Sequence, residues 1–445
     1  MLHWFRCDNC YSFKVRNDEQ MNGISMDDPS DIDSEIKPLK RGNVHIWQIA
    51  SIYGANASGK STFLRALGSM FYNIADTRHN LVGERFLFDY SLKEEPIYCE
   101  MCFSLLKPGS KAKYNEYRYG YKLGTYIKND DIEDEEEYEK DGKANEVLSE
   151  WLTIRDINSN DEPMFVFNRE RDSLEFFGVH KNSPTAKQLS EKFDELEMKT
   201  TLVMRLVGNL NMNDDDNLFS SIHAWCRKAV PIEFFSETEG RWHLNSAAAR
   251  IMKNERNFKD RFLKFIQKFD RCIFDVKVKS ENEKYELQIG HKIKNTSQDQ
   301  IYYRSIYKES YGTQKIAGMC PYFLDAIENG GLLMIDEIDI KLHPMVILDL
   351  IEECHKNENI QVIFSTHNLV TLDKRYMHMD EIWFVEKFDD ERSSIACLDK
   401  ASLVADELKP EFVDYWKLYL NNRFGAVPSQ KLVAQRSDDK RSDDN

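Results

Sequence analysis

The spacing of apolar and polar positions predicts most of the elements before any chemistry is considered. His3 to Val15 (HWFRCDNCYSFKV) alternates as a strand does, with a turn near Asp8-Asn9. Ile97 to Leu105 and Glu116 to Leu123 repeat the same period and predict two further strands, so the first part of the chain is β-rich. Between them, Asn17 to Lys40 is polar and rich in Pro, Asp and Ser, which predicts a loop or hairpin. Three short apolar runs stand apart from this alternation: Ile49 to Tyr53, Gly331 to Ile335 and Gln361 to Phe364. Each predicts a buried strand.

From Thr125 to about Gln300 the pattern changes. Asn145 to Ile154 and Pro163 to Phe177 read as a mixed region. Pro184 to Val207 has helical spacing at Leu189, Phe193, Leu196, Leu202 and Leu206, and Leu218 to Ala229 and Ser246 to Phe269 also predict helices. The last of these puts Ile251, Phe258, Phe262, Phe265 and Phe269 on one face, with Arg250, Lys253, Arg256, Lys259, Arg261, Lys264 and Lys268 around it. Such a helix is first a solvated packing element and only second a nucleic-acid or effector contact. Phe274 to Ile289 alternates as a hairpin. The expected organisation is a discontinuous α/β head from residues 1–125 and 301–428, a largely α-helical insertion at 126–300, and a disordered tail at 429–445.

Composition narrows the class. With 445 residues and 41% hydrophobic content, the chain has ample core for two or three domains. No apolar run is long enough to span a bilayer, and Met1 to Arg6 lacks an apolar signal region, so a soluble, cytoplasmic protein with no membrane partner is expected. A net charge of −16 argues against a broad nucleic-acid surface, although Asn129 to Asp141, read as a solvated acidic loop, carries much of that charge. Nine cysteines, an odd number in apolar surroundings, fit reduced thiols. The pairs Cys7-x-x-Cys10 and Cys99-x-x-Cys102 lie in strand-like runs where residues three apart face opposite sides, so no zinc ribbon is expected.

The chemistry begins where the Ile49 run breaks. Gly54 to Ser61 matches G-x-x-x-x-G-K-[ST] and is followed by the amphipathic Phe63 to Leu67, giving strand, phosphate loop and helix. Gly54 and Gly59 free the backbone so that the N–H groups of Asn56, Ala57, Ser58, Gly59, Lys60, Ser61 and Thr62 can face a polyphosphate. Lys60 supplies an ammonium for the β- and γ-phosphates, and the Ser61 hydroxyl a ligand for Mg2+. The Gly331 strand ends in Asp336 and Glu337, one carboxylate to hold the Mg2+ and its waters and the next to polarise an attacking water. The Gln361 strand ends in His367, placed to sense a γ-phosphate. Ser310-x-Gly312-Thr313 opens a further helix, where such residues cap the helix or bind an anion.

Those stretches in that order, together with Leu342-His343-Pro344 and Ser365-Thr366-His367-Asn368, resemble the ABC-type ATPase heads of the SMC-like class. More closely they resemble the type-15 AAA family found in bacterial antiphage and abortive-infection systems. Phe5 to Phe13, Asp380 to Lys387 and Tyr419 to Pro428 are similar to that family too. The resemblance implies an ABC-type P-loop head whose dimer sandwiches two ATP molecules. Lys60, Ser61, Asp336, Glu337 and His367 then act from one subunit, and Ser310, Gly312 and Thr313 close on the γ-phosphate from the other. The usual LSGGQ reads ESYGT here, and His343 stands where transporter heads carry an aspartate. Both departures point away from transporters.

The expected function is thus an Mg2+-dependent ATPase, slow, working as a homodimer or higher homo-oligomer. It would be a switch that controls a separate effector, nuclease or Toprim-like, in antiviral defence. The alternatives are an SMC-like DNA-repair head acting with a nuclease and a scaffold that binds ATP without hydrolysing it. No long heptad arms interrupt the chain, which counts against the DNA-tethering version.

Overall fold

The computed structural model describes residues 1–15, 21–27, 35–75, 81–89, 95–107, 109–126, 144–195, 200–208, 217–232, 248–252, 257–281, 284–293, 300–398 and 414–420. The acidic run at 129–141, the family-like stretch at 421–428 and the tail at 429–445 lie outside the described residues.

Apolar runs make the central sheet. Its order is Val230–Ile232, Gly331–Ile335, Ile360–Ser365, Ile49–Tyr53, Ile382–Lys387 and Ser393–Cys397, parallel except for the last strand. Parallel strands need cover on both faces. The strands provide it by alternation: Ala50, Ile52, Met334, Ile363 and Val385 enter one core. Ile49, Tyr53, Leu333, Ile335, Phe364 and Phe384 enter the other.

The first core is closed by a second sheet. Seven antiparallel strands run in the order Ser173–Phe176, Met164–Glu170, Ala144–Asp156, Tyr114–Tyr126, Ile97–Leu106, Leu2–Asp8 and Asn22–Ser25. The helix Lys60–Ala75 packs into this core through Phe63, Leu67, Met70 and Phe71, beside Phe5, Met101 and Phe103 of the antiparallel sheet. On the opposite face of the central sheet, the helices Phe258–Phe269, Tyr311–Asn329 and Pro344–His355 fill the second core. Among the described residues no helix is long and apolar enough to cross a membrane.

The 126–300 stretch contributes helices at Pro184–Glu195, Val203–Val207 and Asn217–Arg227, as its spacing predicts. It also contributes strands. Ala144–Asp156 hydrogen-bonds along Tyr114–Tyr126, so the antiparallel sheet begun by the first hundred residues continues across position 125 to Phe176. Asp275–Glu281 and Lys284–Lys292 form the expected hairpin, joined by Ile301–Ser305 into a three-stranded sheet.

The basic helix is a packing element. Phe258, Phe262 and Phe265 are buried, while Lys259 pairs with Asp275 at 2.7 Å, Lys268 with Glu353 at 2.6 Å and Arg261 with Glu328. The cysteines need one correction. The turn at Asp8-Asn9, with Asn9 at φ 48°, folds Cys10 back onto the side of Cys7, and Cys99 joins them with its Sγ 4.0 Å from that of Cys10. Hydrogen bonding among these thiols and burial push Cys10 and Cys99 well above the usual thiol range, which holds them protonated and inert. Cys102 faces away, as strand alternation requires, near His3 and Glu116. Arg155 and Arg118 already engage the Glu116 carboxylate, and two cations disfavour a third.

Candidate nucleotide site

The phosphate loop leaves the middle of the central sheet and turns where only glycine fits. Gly54 has φ 156°, and a Cβ there would meet the Val385 carbonyl oxygen at 2.4 Å. Gly59 has φ 114°, with Ser393 Oγ 2.7 Å from the position of a Cβ. Ala57 is held at φ 62°, a conformation that an L residue adopts at a cost. Asn56 and Ala57 are exposed, Ser58 is buried, and Gly59, Ser61 and Thr62 are half-buried around the start of the helix Lys60–Ala75.

Lys60 is only 6% exposed and donates to the carbonyls of Gly54 and Ala55 at 3.0 and 2.9 Å. Burial pulls its pKa down, and the charges of Asp336, Glu337 and Asp339 hold it up. Carboxylates from the strand end at position 335 therefore lie within electrostatic reach of the phosphate-loop amine. The Lys60 charge also reaches His367, whose pKa burial and Lys60 together lower. A neutral imidazole at neutral pH results.

Asp336 is buried. One carboxylate oxygen accepts from Ser365 Oγ, and the other, Oδ2, has no hydrogen-bond partner. A buried carboxylate oxygen with no donor, beside a phosphate loop, fits a hydrated Mg2+, a hard cation that takes carboxylate and hydroxyl oxygens. Asp336 and Ser61 are the residues that would hold it. Glu337 sits at φ 49°, its N–H donating to the same Ser365 Oγ at 2.7 Å. Burial, Asp336 and Asp339 raise its pKa against the pull of Lys60 and Lys315, as suits a group that takes a proton. The His367 N–H leans on the Asp339 carboxylate at 3.3 and 3.4 Å.

The Ser310 cluster lies elsewhere. Ser310 caps the helix Tyr311–Asn329, its Oγ accepting from the Thr313 N–H at 3.1 Å, and both Ser310 and Tyr311 are exposed. Gly312 is required there, because a Cβ would meet the Lys341 carbonyl oxygen at 2.9 Å. These residues line an open groove of about 480 Å3 with Phe269, Lys341, Leu342 and His343, and no phosphate-loop residue lines it. Thus Lys60, Asp336, Glu337 and His367 lie within electrostatic reach of one another, whereas Ser310 is exposed, with Gly312 and Thr313 half-buried beside it, on another surface.

Three residues of this arrangement have no role in the sequence reading: Ser365, quoted there only within a family-like stretch, which bridges Asp336 and Glu337; Asp339, which holds the His367 backbone; and Lys315. Ser365 and Asp339 lie two residues from predicted site residues, His367 and Glu337, and that proximity was the available signal. A lysine on a helix carries none.

The phosphate loop leaves a central parallel strand, His367 follows the strand beside it and Asp336-Glu337 the strand beyond that, an arrangement that defines a P-loop NTPase fold. The chain belongs to the AAA family described as "AAA domain, putative AbiEii toxin, Type IV TA system", whose model matches residues 49–373, well over half of it. Among solved structures, the SMC head domain from Thermotoga maritima is similar at 13% identity and a TM-score of 0.40, covering 89% of this chain and 98% of that one. An SMC head bound to the C-terminal winged-helix domain of ScpA is similar at 15% identity and a TM-score of 0.36, covering 90% and 98%. Among curated proteins no match is found.

Proposed function

We propose that this protein binds and slowly hydrolyses ATP. Two copies close head to tail around two nucleotides, and that closure switches a separate effector protein. The observation that carries the reading is the division of the site: four groups gather at one end of the sheet, and the outward-facing Ser310 cap lies apart from them.

In this reading the Lys60 ammonium exchanges its two carbonyl partners for the β- and γ-phosphates. Ser61 and Asp336 would hold a Mg2+, which would supply positive charge against that of the polyphosphate. Glu337, with its raised pKa, accepts the proton of the attacking water. His367 donates to the γ-phosphate through a neutral ring and so reports whether it is present. Ser310, Gly312 and Thr313 of the second copy offer a hydroxyl pair and a helix N-terminus to that phosphate. Its family's description names a toxin of a type IV toxin–antitoxin system. That supports a second protein as partner, and we take the partner to be a nuclease or Toprim-like effector of antiviral defence.

Glu337→Gln should lower turnover by about 10²- to 10⁴-fold, leave ATP binding intact and trap the closed dimer. Unchanged turnover would remove Glu337 from the mechanism. Mixing Ser310→Arg protein with Glu337→Gln protein, each inactive alone, should restore a measurable part of the activity through the one intact composite site. No recovery on mixing means that the sites are not shared.

A further inference from the structure

Lysine is almost never fully buried unless its ammonium is satisfied, yet Lys315 is 4% exposed. It lies on the helix Tyr311–Asn329, just over one turn beyond the Ser310 cap. Its Nζ donates to the carbonyls of Glu337, Ile338 and Ile340 at 2.9, 3.1 and 3.2 Å. The surrounding charges are the carboxylates of Asp339, Glu337 and Asp336. Burial pulls the pKa to about 8, which leaves the group mostly protonated at neutral pH.

The three carbonyls belong to one loop. That loop runs from Glu337 to Lys341, and both of these residues have left-handed φ values, 49° and 61°. Residues other than glycine hold such conformations only where their surroundings impose them. Ser365 holds the start of this loop, and the helix that carries the cap supplies the ammonium that gathers its carbonyls. A second contact joins the same two parts, since Gly312 abuts the Lys341 carbonyl with no room for a Cβ. Coupling between two sites requires an element that both can bias, and this helix and loop form one.

We propose that Lys315 is a positioning residue that ties the exposed Ser310 cap to the loop bearing Glu337, so that seating the cap on a second copy's nucleotide aligns Glu337 over this copy's own. The inference rests on the ATPase reading above and extends it to regulation between the two sites. The direction of the effect follows from the geometry. A cap shifted by a bound phosphate carries the ammonium with it, and its hydrogen bonds transmit that shift to the Glu337 carbonyl and to the loop that follows. An apolar side chain at position 315 would pack but could not hold those carbonyls.

The test uses full-length protein and three readouts. In Lys315→Met, kcat should fall by roughly 10- to 100-fold, the scale of a small misplacement of a catalytic group, while ATP affinity stays within about threefold of wild type. Cooperativity in ATP should fall with it, from a Hill coefficient that approaches about 2 for coupled sites toward 1. Amide hydrogen exchange of residues 338–342, measured without nucleotide, should quicken at least tenfold or so as the loop loses its anchor. Exchange there as slow as in wild type, or ATP binding lost in proportion to turnover, would overturn the proposal. If Lys315→Met folds poorly, Lys315→Gln, which still donates to a carbonyl, should give values between the two proteins. A wild-type protein that does not hydrolyse ATP would defeat the ATPase reading instead, and the exchange measurement would still decide whether Lys315 holds the loop.

Discussion

The two ends of the central sheet are built from the same strands and are chemically unlike. At the amino ends, buried polar groups are matched. Gln361 accepts from the Leu2 N–H at 2.6 Å and donates to the Leu2 and Trp47 carbonyls at 2.9 and 3.2 Å, tying the two sheets together. Gln48 donates to the Cys354 carbonyl at 2.8 Å, and Glu381, fully buried, takes the His355 ring at 2.9 Å and the His378 N–H at 3.0 Å. Trp47 Nε1 and Trp383 Nε1 are exceptions there. At the carboxyl ends, Asp336 Oδ2 and Ser58 Oγ are buried without partners, and Ala57, Glu337 and Lys341 sit at positive φ. Matched polar groups stabilise a scaffold. Unmatched ones beside strained backbone mark the end that awaits a ligand.

That contrast is broken if a change at the carboxyl ends harms folding more than binding. The largest effect is expected at Lys60, whose ammonium is buried against two carbonyls. Lys60→Ala should weaken ATP binding by roughly a hundredfold or more, the scale on which a preorganised donor to phosphate acts, with little change in melting temperature. Isothermal titration and thermal melts on one preparation check both halves. Normal ATP affinity would show that the phosphate loop is wrongly assigned.

The opposite signature belongs to Gln361. Gln361→Ala leaves the buried Leu2 N–H and two carbonyls without partners, which should cost about 1–3 kcal/mol of stability. Turnover per folded molecule should not change. Denaturant midpoints together with active-site titration separate the two, and a selective loss of kcat would contradict the division between the ends.

How far the sequence reveals each region follows from the same chemistry. The phosphate-loop, Asp336-Glu337 and His367 strands are legible because buried parallel strands read as apolar runs that end abruptly in polar residues. The strands from 144 to 176 are less so. Glu150 and Arg169 occupy buried positions on them, 3.5 Å apart, and Glu150 takes the N–H groups of Val203 and Met204 at 2.6 and 3.0 Å. Charges in the core break the alternation that would have announced a sheet. Ser365, Asp339 and Lys315 stay hidden for another reason. Asp339 and Lys315 hold loop backbone, and Ser365 bridges the Asp336 carboxylate and the Glu337 N–H; pattern along the chain does not encode where that loop passes.

The smallest effect, and the finest test of the contrast, is the pH response of the His355–Glu381 pair at the amino ends. Burial alone would lower the His355 pKa, but the Glu381 charge and hydrogen bond outweigh it, and the net shift is upward. A histidine whose folded pKa lies above its unfolded value of about 6.5 contributes stability that is fully present below that value. The contribution is lost as pH rises through the folded pKa. Wild-type protein should therefore lose melting temperature from about pH 6.5 upward more steeply than His355→Gln, which cannot take up the proton. Turnover of the variant should keep the wild-type pH profile, because the pair sits at the far end of the strands from Glu337. Identical melting slopes would show that the pair contributes nothing to stability. An altered turnover profile would show that the two ends are coupled, and the distinction between scaffold and site would then have to be drawn elsewhere.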